Sequence, residues 1–389
     1  MLTTLLTSTL PVATEVLEAQ RHLGEEYKVF AYAGFIGIIL TILLLDLGVF
    51  HRKAHEVTAR EAIRWTIVWV SCALLFNVAV YFLYEHHVFG LGLEVPVLGS
   101  PGTTMTVRGF EAAKLYITGY LIEESLSMDN VFVIAVILGS LGIPAKYQHR
   151  VLFWGIMGAV VMRGLMIFVG VTLIEHFAWI SYVFGAVLII TAVRMAFMGE
   201  DEQADPSKST IFRLIKRFIP VTTKFDGQRF FTRMEGVLHA TPLLVALVMV
   251  EFTDLIFAVD SIPAIFAITA DPFIVFTSNI FAILGLRSLY FCLAAMIRHF
   301  RYVKPALVLV LLFIGIKMCL VHTPYKIDTD ISVGVVLGML ATGVVASLLL
   351  PAKEEKEEHA PAAPAPAPDA GEAGQDAERP DPHAATHDR

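Results

Sequence analysis

The chain has 389 residues, of which 56% are hydrophobic and only 17% charged, and its mean hydropathy is +0.68. A soluble domain is nearer a quarter charged, so this composition excludes an ordinary soluble protein and points to a polytopic membrane protein with the lipid bilayer as its surroundings. The net charge of −7 collects in the C-terminal tail and in acids inside apolar runs, and it gives no sign of a nucleic-acid partner.

Residues 1–29 form a polar lead-in outside the membrane; no basic segment precedes Leu2 to Leu10, so they do not have the form of a secretory signal. Nine spans follow at about 30–50, 62–84, 113–141, 151–174, 178–198, 241–266, 273–297, 303–321 and 331–350. The predicted fold is therefore all-α, a transmembrane domain over 30–350. Lys and Arg gather in alternate connections: Arg52, Lys53, Arg60 and Arg64; Lys146 and Arg150; seven bases between Lys208 and Arg233; then Arg298, Arg301 and Lys304. The positive-inside rule places these connections in the cytoplasm, with the N-terminus outside and the C-terminus inside. The basic loop 199–240 carries Ser209 to Ile219, whose apolar and basic residues alternate as in a helix lying on the inner leaflet. Residues 353–389 are Pro/Ala-rich and acidic and cannot form a core. Cys72, Cys292 and Cys319 all lie in apolar runs and read as small hydrophobes.

The sixth span is the informative one. Glu251 to Phe266 reads EFTDLIFAVDSIPAIF, with Glu251, Asp254 and Asp260 inside a membrane segment and Pro263 behind them. An acid at mid-membrane costs about 2.5–3.5 kcal/mol on insertion scales, so it should face the bundle interior or a wet cavity. Pro263 cannot donate to the Val259 carbonyl, which predicts a loosened backbone beside Asp260. The third span repeats the pattern in YLIEESLSMDNVFVI, where Glu123 and Asp129 have the spacing of Asp254 and Asp260, and Asn130 matches Ser261. Downstream, Met162–Leu165 aligns with Leu286–Leu289, pairing Arg163 with Arg287, and Thr191–Met195 aligns with Ile314–Met318, pairing Arg194 with Lys317. Spans 3–5 (113–198) and 6–8 (241–321) thus form a repeat. An odd number of spans in each half makes it an inverted repeat, with a site expected near the midplane.

Carboxylate, carbonyl and amide oxygens without thiolate or imidazole favour Mn, Mg or Ca over Cu or Zn. Asp129 and Asp260 are the leading metal ligands, with Glu123, Asp254 and Glu251 beside them. On an ideal helix Glu123 and Asp129 point about 120° apart, so they converge only if the helix is unwound between them. Asp46, Asn77, Asn130, Ser261, Arg163 and Arg287 are candidates for the ion path or for supporting roles. The bland alternatives are an interfacial ion pair at Asp46, an interhelical hydrogen bond at Asn77, and arginines that balance spare acids. Glu124 is a weaker candidate, because Leu255 stands at its place in the second repeat. No HExxH, Walker A or other enzymatic signature occurs. A secondary transporter needing no cofactor, with protons as a possible coupling ion, is what these exclusions leave; the oligomeric state stays open.

These same stretches resemble the TerC family of integral membrane proteins, and its Alx-like branch most. The carrying segments are LDLGVFHRKAHEV at 45–57, GYLIEESLSMDNVFV at 119–133, residues 240–291 and IGIKM at 314–318. The resemblance implies nine spans and a role in manganese homeostasis, most often Mn²⁺ export across the bacterial cytoplasmic membrane, with links to tellurium resistance and alkaline response. It places the family's acidic positions on Asp46, Glu123, Asp129, Glu251, Asp254 and Asp260. The resulting expectation is an exporter of divalent cations, Mn²⁺ first, with Ca²⁺ and Mg²⁺ as alternative cargo. The rival expectations are a non-transport factor for metallation or assembly of exported proteins, a proton-coupled Ca²⁺ carrier, and an intramembrane enzyme built on Asp129 and Asp260.

Overall fold

The computed structural model describes residues 27–43, 59–197, 217, 219–234, 236–296 and 302–349. Nine helices run through the described residues. They are α1 (Tyr27–Leu43), α2 (Ala59–Glu85), α3 (Gly109–Ser140), α4 (Ala145–His176), α5 (Ile180–Phe197), α6 (Pro242–Phe266), α7 (Pro272–Met296), α8 (Val303–Leu320) and α9 (Thr329–Leu349). Seven of them, α2 and α4 to α9, are long and apolar enough to cross a bilayer. Helix α3 has the length, at 32 residues, but Glu111, Lys114, Glu123, Glu124 and Asp129 make it more highly charged than those seven. Asp46, the Ser209–Ile219 segment (save Arg217 and Ile219), the lead-in before Tyr27 and the acidic tail lie outside the described residues.

Large apolar side chains stand exposed on the outer faces: Leu75 on α2, Phe168 on α4, Ile190 and Phe197 on α5. In water such a surface would drive aggregation; around a membrane bundle it is the lipid-facing surface. Helix α7 is the opposite case. It is almost wholly buried and packs on α2, α3 and α4, while an aromatic set of Phe35, Phe76, Phe273, Phe276 and Phe281 ties α1 and α2 to it. Its start is written in the sequence. Asp271 caps it by accepting from the backbone N–H of Phe273 (2.9 Å) and Ile274 (3.2 Å), Pro272 sits at the first helical position, and Tyr84 donates to the same carboxylate at 2.9 Å.

Helix α3 packs on α7, α4 packs on α6, and α5 packs along α8. The last contact is close because Gly185 and Gly315 lie against each other. A Cβ on Gly315 would stand 2.9 Å from the Gly185 carbonyl, and one on Gly185 2.8 Å from the Gly315 carbonyl. Lipid gives apolar helices little reason to associate, so small residues that admit close van der Waals contact hold such pairs together.

Two short antiparallel hairpins, which the sequence pattern does not announce, supplement the helices. The first, β1 (Val95–Pro96) with β2 (Thr104–Met105), lies between α2 and α3. The second, β3 (Phe231–Met234) with β4 (Val237–Ala240), turns at Gly236, whose φ of 83° suits glycine, and leads into α6.

The loosening expected beside Asp260 does not unwind α6, and the unwinding that convergence of Glu123 and Asp129 would require is absent from α3. Helix α3 is continuous from Gly109 to Ser140, and α6 is helical through Pro263 to Phe266. Proline removes one hydrogen bond, and the next turn closes regardless, with the Ala267 N–H donating to the Pro263 carbonyl at 3.1 Å. Membrane helices accept proline on these terms when neighbours enclose them.

Candidate metal-ion site

Arg163, in the middle of α4, has a fully buried side chain. An arginine cannot shed its proton in a protein, so its surroundings must supply negative charge. Its guanidinium donates to Glu123 on α3, and grips Asp254 on α6 through two bonds, Nε to Oδ2 at 3.1 Å and Nη2 to Oδ1 at 2.7 Å. Asn279 on α7 completes the cluster, accepting from Arg163 at 3.2 Å and donating to Glu123 at 3.0 Å. Four helices therefore meet at one guanidinium, two acidic side chains and an amide. Glu123 and Asp254 are thus the two acid partners of Arg163. Asn279 is not among the residues the sequence singles out. A lone Asn in an apolar helix carries no local sign of its partner.

Asp260 turns elsewhere. Its Oδ1 accepts from Thr191 on α5 at 2.7 Å, with Arg194 one turn beyond contributing attraction. Asp254 and Asp260 thus face different neighbours, as six residues on an unbroken helix require. Asp129 lies on α3, and Arg287 lies on α7; their side chains fall outside the described residues. Glu251, one turn before Asp254 on the same side of α6, rests its carboxylate against Gly158 of α4, where an added Cβ would lie 1.9 Å from Oε1. Glu124 receives the Tyr120 hydroxyl, lies near Gly285, and keeps Oε2 buried without a partner.

The buried oxygens that lack a partner are instructive. Asn130 Oδ1 and Ser261 Oγ occupy matching places after Asp129 and Asp260, and both are buried with no hydrogen-bond partner; Ser127 Oγ shares this state. Leaving such a group unpaired costs about 1–3 kcal/mol. Asn77 Oδ1 is also unpartnered, so the expected interhelical bond through it is not made. Among the described residues no three His, Cys, Asp or Glu side chains gather into one metal cage. The acids are strung along α6 and its neighbours instead.

Gly158 offers a direct handle on Glu251. Alanine there must displace a flexible carboxylate end rather than backbone, so Gly158→Ala should leave the melting temperature of the purified protein within about 2 °C, an effect below about 1 kcal/mol. If Glu251 serves the ion path, Mn²⁺ flux should fall about tenfold; unchanged flux would take Glu251 off the path.

Seven long apolar helices around a buried arginine held between two acids define an integral membrane protein with charged side chains in its interior. The chain belongs to the TerC family of integral membrane proteins, which it matches over residues 109–356. Among its relatives is a membrane protein of Myxococcus xanthus, STKORF319, 48% identical over 318 residues, 82% of this chain and 92% of the relative. Alx of Escherichia coli (strain K12), whose name proposes a membrane-bound redox modulator, is 42% identical over 327 residues, 84% of this chain and 96% of the relative. A membrane protein of Rickettsia bellii is 38% identical over 315 residues, 81% and 96% respectively. No solved structure matches.

Proposed function

We propose that the chain is a secondary transporter that exports divalent metal cations, Mn²⁺ first, across the cytoplasmic membrane, the ion held by intramembrane carboxylates where two inverted repeats meet. The observation that carries this reading is the pair of buried, unpartnered oxygens on Asn130 and Ser261, at equivalent places beside Asp129 and Asp260. Amide and hydroxyl oxygens of this kind, each on the residue that follows an aspartate in the sequence, are of the hard type that divalent cations of the Mn, Mg and Ca group prefer. The Glu123–Arg163–Asp254 cluster, with two acids to one base, adds attraction for a cation. No thiol or imidazole enters, which favours Mn²⁺, Mg²⁺ or Ca²⁺ over Zn²⁺.

The helix pairings support the repeat. If α3, α4 and α5 correspond to α6, α7 and α8, the packing of α3 on α7 is the counterpart of α4 on α6. The contacts of α5 with α8, and of α3 with α6, map onto themselves. With the basic connections in the cytoplasm, one half enters the membrane opposite to the other. A role in thiol redox chemistry would need cysteines at bridging distance; Cys72 and Cys319 are both free, and nothing among the described residues favours that reading over transport.

The test is purified protein in liposomes, loaded on one side with Mn²⁺, Ca²⁺ or Mg²⁺, with and without a pH gradient. Saturable Mn²⁺ flux, accelerated by an opposing proton gradient, is expected. No flux of any of the three from folded protein would overturn the reading and favour a non-transport membrane factor.

A further inference from the structure

Lys317 is the charged group that the site leaves unexplained. It lies in the last turn of α8, is 6% exposed, and donates through Nζ to the backbone carbonyl of Ala267 at 2.8 Å. Among the described residues it forms no ion pair; its charged neighbours, Asp328 and Lys326, act from a distance. Burying an ammonium against one neutral carbonyl is expensive, and intramembrane charges that carry no structural pair are functional by default.

Its position says what it could do. A cavity of about 120 Å³ opens beside it, lined by Lys317, Glu111, the last residue of α6, Phe266, and the turn that follows it, Ala267 to Ala270. Ala267 caps α6 with helical backbone angles and lies seven residues beyond Asp260, so it continues the face of the helix that carries Asp260, about two turns further on. A cation that leaves Asp260 along that face comes next to the Ala267 carbonyl, where the Lys317 ammonium already sits.

We propose that Lys317 is a tethered cation, standing at the carbonyl end of α6 in the place of a departing metal ion, and that its charge lowers the affinity of the intramembrane acids for the ion and so speeds release into the cavity. The inference rests on the transport reading above. Arg194, aligned with Lys317 in the sequence repeat, acts on Asp260 itself from α5, whereas Lys317 stands two turns further along.

The experiment compares wild type with Lys317→Gln, which keeps a donor for the Ala267 carbonyl without the charge, and with Lys317→Arg, which keeps the charge. Equilibrium Mn²⁺ binding in detergent and Mn²⁺ flux in liposomes are both measured, with Mn²⁺ alone as the probe. Lys317→Gln should bind Mn²⁺ about tenfold more tightly, as removal of a nearby positive charge in a medium of low effective dielectric dictates, and turn over several-fold more slowly. Lys317→Arg should stay near wild type in both. Unchanged or weaker binding by a well-folded Lys317→Gln overturns the proposal while leaving transport intact. Collapse of Lys317→Gln alongside a stable Lys317→Arg shows the charge to be structural and also overturns it. Absence of Mn²⁺ flux and binding in the wild type removes the transport reading and this inference together.

Discussion

Arg163→Met should be the most destabilising single substitution in the membrane core. It leaves Glu123, buried on α3, and Asp254, partly buried on α6, without the guanidinium that both now touch, and strips Asn279 of one of its two partners in the cluster. Breaking a buried pair from one side costs about 3–5 kcal/mol, because a charge remains in low dielectric with nothing to offset it. For a bundle of this size that corresponds to a melting temperature lower by about 10 °C. Removing the acids as well changes the sign of the problem. The triple variant Arg163→Met, Glu123→Gln, Asp254→Asn has no buried charge in the cluster, and it should recover most of the lost stability while remaining unable to move Mn²⁺. Thermal unfolding in detergent, followed by flux in liposomes, separates the two effects. A single variant that melts within 2 °C of wild type would show that water reaches the cluster and that its charges are not interdependent.

That cluster also marks the limit of what the sequence discloses. A charge inside an apolar run is conspicuous, so Glu123, Asp254 and Arg163 stand out along the chain by residue type alone. Their mutual contacts do not, because Arg163 reaches Glu123 across 40 residues and Asp254 across 91, and no local pattern encodes such a pairing. The spans are legible for a simple reason. In lipid every backbone polar group must be satisfied within its own segment, so long apolar runs have to be helices. Helical periodicity also implies that Asp254 and Asp260 diverge, and they do, toward α4 and α5. Pro263 misleads in the other direction. Its missing hydrogen bond is visible in the sequence, but whether a helix unwinds there depends on the neighbours that enclose it. The hairpin from Phe231 to Ala240 is hidden because four-residue strands carry too little alternation to stand out beside a basic, loop-like composition.

The sharpest expectation about function concerns two substitutions of equal size and different surroundings. Asp254→Asn keeps the shape of the side chain and leaves Glu123 to balance Arg163, so the cluster becomes neutral and the fold should survive with a melting temperature near wild type. Asp260→Asn retains an oxygen for the Thr191 hydroxyl, so it too should fold. Each removes one negative charge from the acids that would hold a divalent ion, and each should lower Mn²⁺ flux by about 100-fold, about 2.8 kcal/mol. Asp129→Asn, at the position that the proposed repeat aligns with Asp260, should do the same if both aspartates hold one ion. Asymmetry is informative. If Asp260→Asn abolishes flux and Asp129→Asn leaves it intact, the ion is held by the second repeat alone, with Asn130 as a bystander. If both aspartate variants transport normally while Asp254→Asn does not, the ion binds at the Arg163 cluster, and the unpartnered oxygens of Asn130 and Ser261 have some other use.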